Sequence, residues 1–468
     1  MRIGLPCAFF LKGKIMGIKF GTDGWRAVLG RDFTDENVRR VTLAIGKYVA
    51  DNFGFEKTVI IGYDPRNMAK EYASMCAEIL MQKGFNVKLS SRVVPTPVLA
   101  YNAKLLNASA VMFTASHNPP EYLGMKYIPD YAGPATTEIT DEIISNINKE
   151  FNSNAVGSVE IVDFALSYVH HLENIIDFSK IKTLKTNIVF DGLYSASIGY
   201  FDEILKSKGI LFATMHMEHD VNFGGGMPDP KPKYLKDLME NVKATPNSIG
   251  LANDGDADRF GVINENGEYV SPNEIIPILL KYLLKKGYKG AVVKTVGSSL
   301  LIDVVAEKLG VKVIETAVGF KHVGEAMRKY QVIIGGEESG GLSISGHIPE
   351  KDGLLANLLI LEAMADSGKS LVELQKELHE LAGCKFYTDR IDLKTENIKS
   401  ILEEFKNKKE LAGYKVTDVD LKDGVKLMLG ERNKILVRPS GTEPLLRIYF
   451  ESDNLATLEA LKLTVEKN

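Results

Sequence analysis

Three cysteines in 468 residues, Cys7, Cys76 and Cys384, stand far apart and form no CxxC pair. That leaves no disulfide framework and no zinc motif, and it fits the reducing cytosol. Charge of one sign is not in excess either: the net charge is −4. A broad basic field for nucleic acid is therefore excluded, which still leaves room for a local basic pocket. No apolar run approaches the length of a membrane span. The patch Ala8–Leu11 near the start is too short for a signal peptide and has no small-residue cleavage site after it. Residues 1–16 read as a disordered leader or as a start codon placed too early, because the patterned sequence begins at Gly17. What is present is ordinary for a globular protein, 45% hydrophobic and 25% charged, with 41 glycines available for turns and phosphate loops. The length calls for several domains.

Three segments share one rhythm of short β-branched runs and amphipathic stretches. The first runs from Thr58-Val59-Ile60-Ile61 to a strand at Ala108–Phe113 and ends in the loop around Ser116. The second runs from Asn187-Ile188-Val189-Phe190 to a strand at Ser248–Ala252 and ends in Asp254-Gly255-Asp256-Ala257-Asp258-Arg259. The third runs from Ala291-Val292-Val293 to Val332-Ile333-Ile334 and ends in Gly335-Gly336-Glu337-Glu338-Ser339-Gly340-Gly341. Alternating strands and helices predict three tandem α/β domains with mixed, mostly parallel sheets. From Cys384 onward the rhythm changes to a smaller α+β domain carrying Arg438-Pro439-Ser440-Gly441-Thr442-Glu443-Pro444. Ligands of open α/β sheets bind beyond the carboxyl ends of the strands, so the loops are expected to face one central cleft. The expected domains are 17–158, 159–268, 269–380 and 381–468.

Each loop has its own chemistry. Asp254, Asp256 and Asp258 place hard oxygens at alternate positions of one turn, which suits Mg²⁺ or Ca²⁺. An EF-hand is excluded because Arg259 falls where that loop needs Gly and a strand precedes it. The Arg438 loop, with Arg447 nearby, reads alone equally as an anion cradle or as a surface turn. The Ser116 loop lacks the Gly-x-Ser-x-Gly elbow of a hydrolase, and alone it reads as a turn before two prolines. Beside an acidic metal loop, however, Ser116 is placed to hold a phosphoryl group. The Glu337 loop suits hydrogen bonding to sugar hydroxyls. Arg26, Lys126, Lys294 and Lys321 lie near these loops or at strand ends, where each singly reads as a solvated charge.

In combination, the segments Phe20–Arg26, Thr114–Pro120, Asp254–Arg259, Gly335–Gly340 and Arg438–Pro444 resemble the α-D-phosphohexomutases, the family of phosphoglucomutases and phosphomannomutases, in the family's order. The resemblance implies four domains around a cleft, with Ser116 as the phosphoserine. Asp254, Asp256 and Asp258 would bind Mg²⁺ together with an oxygen on Ser116. Lys126 would be an acid/base candidate, with Arg26, His117 and Arg259 supporting the phosphoryl group. Lys294, Gly319, Lys321, Glu337 and Ser339 would face the sugar, and Arg438, Ser440, Gly441, Thr442 and Arg447 the phosphate that is not reacting. The implied partners are small hexose phosphates, with glucose 1,6-bisphosphate as intermediate and activator.

In mannose- and glucosamine-specific relatives the sugar loop usually ends in His, whereas here that position is Gly341. Gly319-Phe320-Lys321 is also similar to the phosphoglucomutase form of its loop. Both point to interconversion of glucose 1- and 6-phosphate, with a mannose or dual-specificity mutase as the alternative and a catalytically silent scaffold behind it. Leu123 departs from the Asn of many relatives.

Overall fold

The computed structural model describes residues 18–21, 23–153, 155–440 and 445–466. The expected leader, 1–16, lies outside them. Among the described residues no helix is long and apolar enough to cross a membrane.

The three α/β units repeat one sheet order. In the first sheet Asn86–Ser90, Val59–Tyr63 and Ser109–Phe113 lie side by side and parallel, and Tyr122–Ile128 returns antiparallel along Ser109–Phe113. In the second, Phe212–Met215, Asn187–Asp191 and Ser248–Asn253 are parallel and Phe260–Ile263 returns. In the third, Val313–Thr316, Ala291–Thr295 and Val332–Gly336 are parallel and Leu342–Ile344 returns. The continuous apolar runs are explained by burial on both faces: Val59, Ile60 and Ile61 have no exposed surface.

The returning strand is the antiparallel member that makes each sheet mixed, as the sequence reading expects. A hairpin partner such as Tyr122–Ile128 is defined by pairing, and its Gly124-Met125-Lys126 centre carries no β-branched run. Its consequence is functional. The Ser116, Asp254 and Glu337 loops are the same hairpin connection in three copies, each at the carboxyl end of the last parallel strand. A correction concerns a boundary. Ser158–Val162 pairs with Asn86–Ser90, so the first sheet runs past the expected division at residue 158.

The C-terminal unit is a wholly antiparallel sheet packed against the helices Ile398–Asn407 and Leu455–Glu466, with its own apolar core around Leu427, Ile435, Ile448 and Phe450.

Candidate active site

The Ser116 loop is held by a residue that sequence reasoning did not single out. Arg66, buried beside Asp64 (3.2 Å), donates to four carbonyls of the loop. They are those of Ser116 (2.6 Å), Asn118 (2.6 Å), Pro119 (2.8 Å) and Tyr122 (3.0 Å). Asp64 also accepts from the Thr114 hydroxyl, which in turn accepts the Ser116 N–H at 2.8 Å. This scaffold holds Ser116 at φ 52°, a left-handed conformation that a non-glycine residue adopts only when its surroundings dictate it. The signal for it was available: Asp64-Pro65-Arg66 follows directly on a parallel strand.

From there Ser116 Oγ donates to Asp254 Oδ2 at 2.7 Å and lies 3.2 Å from His117 Nδ1. Asp254, Asp256 and Asp258 are fully buried and present oxygens within 4.8 Å of one another. Burial, reinforced by Asp258 and Asp256, pushes the Asp254 carboxyl well above the usual carboxylate range. Burial also opposes ionisation of Asp256, but the Lys126 ammonium overrides it and brings that carboxyl down to about 2. Asp256 Oδ1 and Asp258 Oδ1 are buried without a hydrogen-bond partner among the described residues. Close-set, hard and incompletely satisfied oxygens fit a divalent cation such as Mg²⁺.

The cations are arranged around these acids. Lys126 reaches Asp256 (2.8 Å), Asp258 (3.1 Å) and Asp23 (2.9 Å). Burial disfavours its charge, yet these three carboxylates hold it firmly as the ammonium. It is therefore an interior group, unlike the solvated charge its sequence position suggests. Arg26 bonds Asn118 (2.8 Å) and Asp23 (3.3 Å), and Arg259 lies 3.9 Å from Asp258. Burial, with Arg259 and Arg26 nearby, keeps His117 neutral. Lys351, also missed in the sequence, approaches Asp258 (3.3 Å) and Asp23 (3.5 Å). Asp23, Asp254, Asp256 and Asp258 thus face Arg26, Lys126, Arg259 and Lys351. A dianionic phosphoryl group and a divalent cation can enter together without unbalancing the charge.

Glu350 closes the group from behind. Its Oε1 accepts the Lys351 N–H at 2.9 Å, while Oε2 is buried without a partner among the described residues. Burial pushes its carboxyl from 4.5 up to about 7, against the pull of Lys351 and with the push of Asp23. A raised acid binds more protons folded than unfolded, so its contribution is intact at low pH and is lost as pH rises from about 4.5 through about 7. Glu350→Gln, which cannot ionise, is expected to flatten the fall in melting temperature between pH 5 and 8. Melting curves of variant and wild type that stay parallel across that range would contradict this origin.

The remaining predicted residues fall into two groups. Glu337 Oε1 accepts the Gly319 N–H at 2.9 Å, and Ser339 is half-buried on the same loop. Burial and the neighbouring Glu338 push Glu337 up to about 7. Lys321 instead reaches Thr137 of the first unit at 3.0 Å. Lys294 is buried against Asp303, Glu315 (3.6 Å) and the Ser299 carbonyl (3.2 Å), inside the third unit. It stands apart from the acid cluster. In the C-terminal sheet Arg438 and Arg447 are directly opposite across adjacent strands. Like charges in that register are unfavourable unless an anion lies between them. The Ser440 N–H bonds the Leu445 carbonyl at 2.8 Å, and Gly441 and Thr442 lie outside the described residues.

Models of the phosphoglucomutase/phosphomannomutase α/β/α domains I, II and III match residues 17–154, 166–267 and 271–381. The model of the family's C-terminal domain matches 395–467. A phosphoglucomutase/phosphomannomutase of Thermococcus kodakarensis is 30% identical over 444 residues, 93% of this chain and 95% of its own. A phosphoglucosamine mutase of Methanocaldococcus jannaschii is 31% identical, covering 94% of this chain and 95% of its own. The crystal structure of a Thermus thermophilus protein described as a phosphomannomutase matches with a TM-score of 0.86 and 33% identity, over 96% of this chain and 98% of that one. With four domain models matched in order and relatives aligned along nearly its whole length, the chain belongs to the phosphoglucomutase/phosphomannomutase family of α-D-phosphohexomutases.

Proposed function

We propose that this mutase interconverts glucose 1-phosphate and glucose 6-phosphate through a phosphorylated Ser116 and a glucose 1,6-bisphosphate intermediate. The observation that carries the choice of sugar is at Gly341. A Cβ there would lie 2.3 Å from Lys351 Cδ and 2.6 Å from its Cγ. The histidine that ends this loop in mannose- and glucosamine-specific relatives is therefore incompatible with Lys351 where it stands. Lys351 takes that space and brings a cation to the acid cluster instead.

The residues divide the work as follows. Phospho-Ser116 gives its phosphoryl group to the free hydroxyl of a hexose monophosphate. The P–O bond to Ser116 breaks as the bond to the sugar oxygen forms, and the proton lost by the sugar hydroxyl is balanced by one gained on the Ser116 oxygen. The bisphosphate turns over in the cleft, and the phosphate from its other end returns to Ser116. Arg26, Lys126, Arg259 and Lys351 neutralise the charge spread over the transferring group. His117 stands beside Oγ, and Lys126, held as the ammonium, is the acid form of the acid/base position. Glu337 and Ser339 bind sugar hydroxyls. Arg438 and Arg447, with Ser440, Gly441 and Thr442, hold the idle phosphate. Asp254, Asp256 and Asp258, with an oxygen on Ser116, would hold Mg²⁺, which supplies electrostatic stabilisation of the phosphoryl oxygens when bound.

Relatives named phosphoglucosamine mutase make glucosamine 6-phosphate the necessary comparator. Purified protein with Mg²⁺ and a trace of glucose 1,6-bisphosphate is expected to show its highest kcat/KM on glucose 1-phosphate, above mannose 1-phosphate and glucosamine 6-phosphate. A higher value on either competitor would overturn the glucose assignment. Inactivity on all three would return the chain to a silent scaffold.

A further inference from the structure

Among the contacts between the C-terminal unit and the third unit, two differ in character. One is a buried seat. Glu451 accepts the Leu300 N–H at the start of the helix Leu300–Lys308 (3.0 Å), and Lys434 pairs with Glu451 (3.0 Å) while donating to the Ser298 carbonyl (2.6 Å). Both side chains are almost fully buried. The other place lies at the cleft and centres on Asp423. Its Oδ2 accepts the Val318 N–H of the third unit at 3.0 Å and the Arg438 Nε–H of its own unit at 3.1 Å.

Two features show that this contact is built. Gly424, at φ 88°, presses the turn against the arginine strand: a Cβ there would lie 2.3 Å from the Val437 carbonyl and 2.8 Å from Arg438 Cα. Asp423 and Arg438 therefore travel together when the C-terminal unit moves. In addition, the amide after Val318 is Gly319, whose N–H is bound by Glu337 at 2.9 Å. Consecutive amides thus carry one carboxylate from the idle-phosphate side and one from the sugar-reading side.

We propose that Asp423 is a positioning residue, the clasp that registers the phosphate-binding arginine against the sugar-reading loop and keeps the cleft shut while the bisphosphate turns over. The proposal rests on the mutase reading above. Opening the cleft about the buried seat must break the Asp423–Val318 bond and leaves Asp423–Arg438 intact. A guanidinium held through Nε still has both Nη nitrogens to offer a phosphate. A charge-assisted hydrogen bond of this kind shifts an open–closed equilibrium about tenfold. Each escape of the bisphosphate leaves Ser116 without its phosphoryl group, so a weaker clasp makes the enzyme more dependent on added bisphosphate.

The test uses the full chain with Asp423→Ala, the isosteric Asp423→Asn, and Lys426→Gln, which removes a different pair across the same boundary, Lys426–Glu315. Asp423→Ala is expected to raise the glucose 1,6-bisphosphate concentration for half-maximal activity about tenfold, with kcat at saturating activator within about twofold of wild type. Asp423→Asn should fall between, and Lys426→Gln should match wild type. Unchanged activator dependence in Asp423→Ala would overturn the clasp, as would an equal rise in Lys426→Gln. Small-angle scattering gives a readout that does not depend on the sugar. Without ligand, Asp423→Ala should have a larger radius of gyration than wild type, and equal radii would overturn the clasp even if the glucose assignment failed. Loss of wild-type turnover on every hexose phosphate would instead sink the mutase reading alone.

Discussion

Ser116→Ala is expected to lower turnover by about 10⁴-fold or more while leaving the melting temperature nearly unchanged. The two halves of this expectation have separate causes. The variant deletes the oxygen that would carry the phosphoryl group, and no neighbour replaces it: His117 is held 3.2 Å from that oxygen as a supporting group. The fold, by contrast, grips this loop through its backbone. The four carbonyl contacts of Arg66 and the Ser116 N–H to Thr114 all survive the substitution. Among the described residues only the bond to Asp254 and the contact with His117 are lost, and alanine accepts the left-handed backbone at similar cost. Turnover at saturating glucose 1,6-bisphosphate tests the first half. Intact mass tests its basis: the wild type should gain one phosphoryl group from the bisphosphate and the variant none. Near-normal turnover in Ser116→Ala would overturn the phosphoserine mechanism.

Asp256→Asn should reduce turnover about 100-fold or more and raise the Mg²⁺ concentration for half-maximal activity at least about tenfold. The asparagine keeps the shape and one oxygen but removes a full negative charge from the triad. The fold tolerates this because Lys126 retains Asp23 and Asp258, so no buried ammonium is orphaned. The Thr96 hydroxyl, which donates to Asp256 at 2.6 Å, keeps an acceptor and continues to join the first unit to the second. A Mg²⁺ titration followed by activity, and independently by calorimetry, checks both effects. An unchanged metal requirement would remove Asp256 from the cation site.

The two substitutions probe different kinds of knowledge. Asp254, Asp256 and Asp258 were visible as a candidate hard-metal loop because coordination requires oxygens at fixed local spacing, and local spacing is what a sequence displays. The same holds for the repeat of strand and helix, whose buried strands must be apolar on both faces. Arg66, Glu350 and Lys351 were not visible, and Asp23 stood inside the Phe20–Arg26 segment without a role of its own. A single lysine or arginine in a sequence is by default a solvated charge. What made Lys126 and Lys351 interior cations is the set of carboxylates brought to them from distant segments, Asp256 and Asp258 from the second unit among them. Lys294 shows the converse, since a lysine at a strand end close to the loops turned out to be paired within its own unit.

The sequence alone therefore determined the family, the residue types that each loop offers and the order of the α/β units, all of which rest on residue types a few positions apart. Only the tertiary structure decided which charges meet. It supplied the hairpin returns that aim the loops, the Arg66 clamp under Ser116, the seat of Lys351 over Gly341 and the Asp423 bridge between units. Each of these depends on close approach between segments far apart in the chain, and the free energy of that approach comes from burial and pairing that no local pattern records.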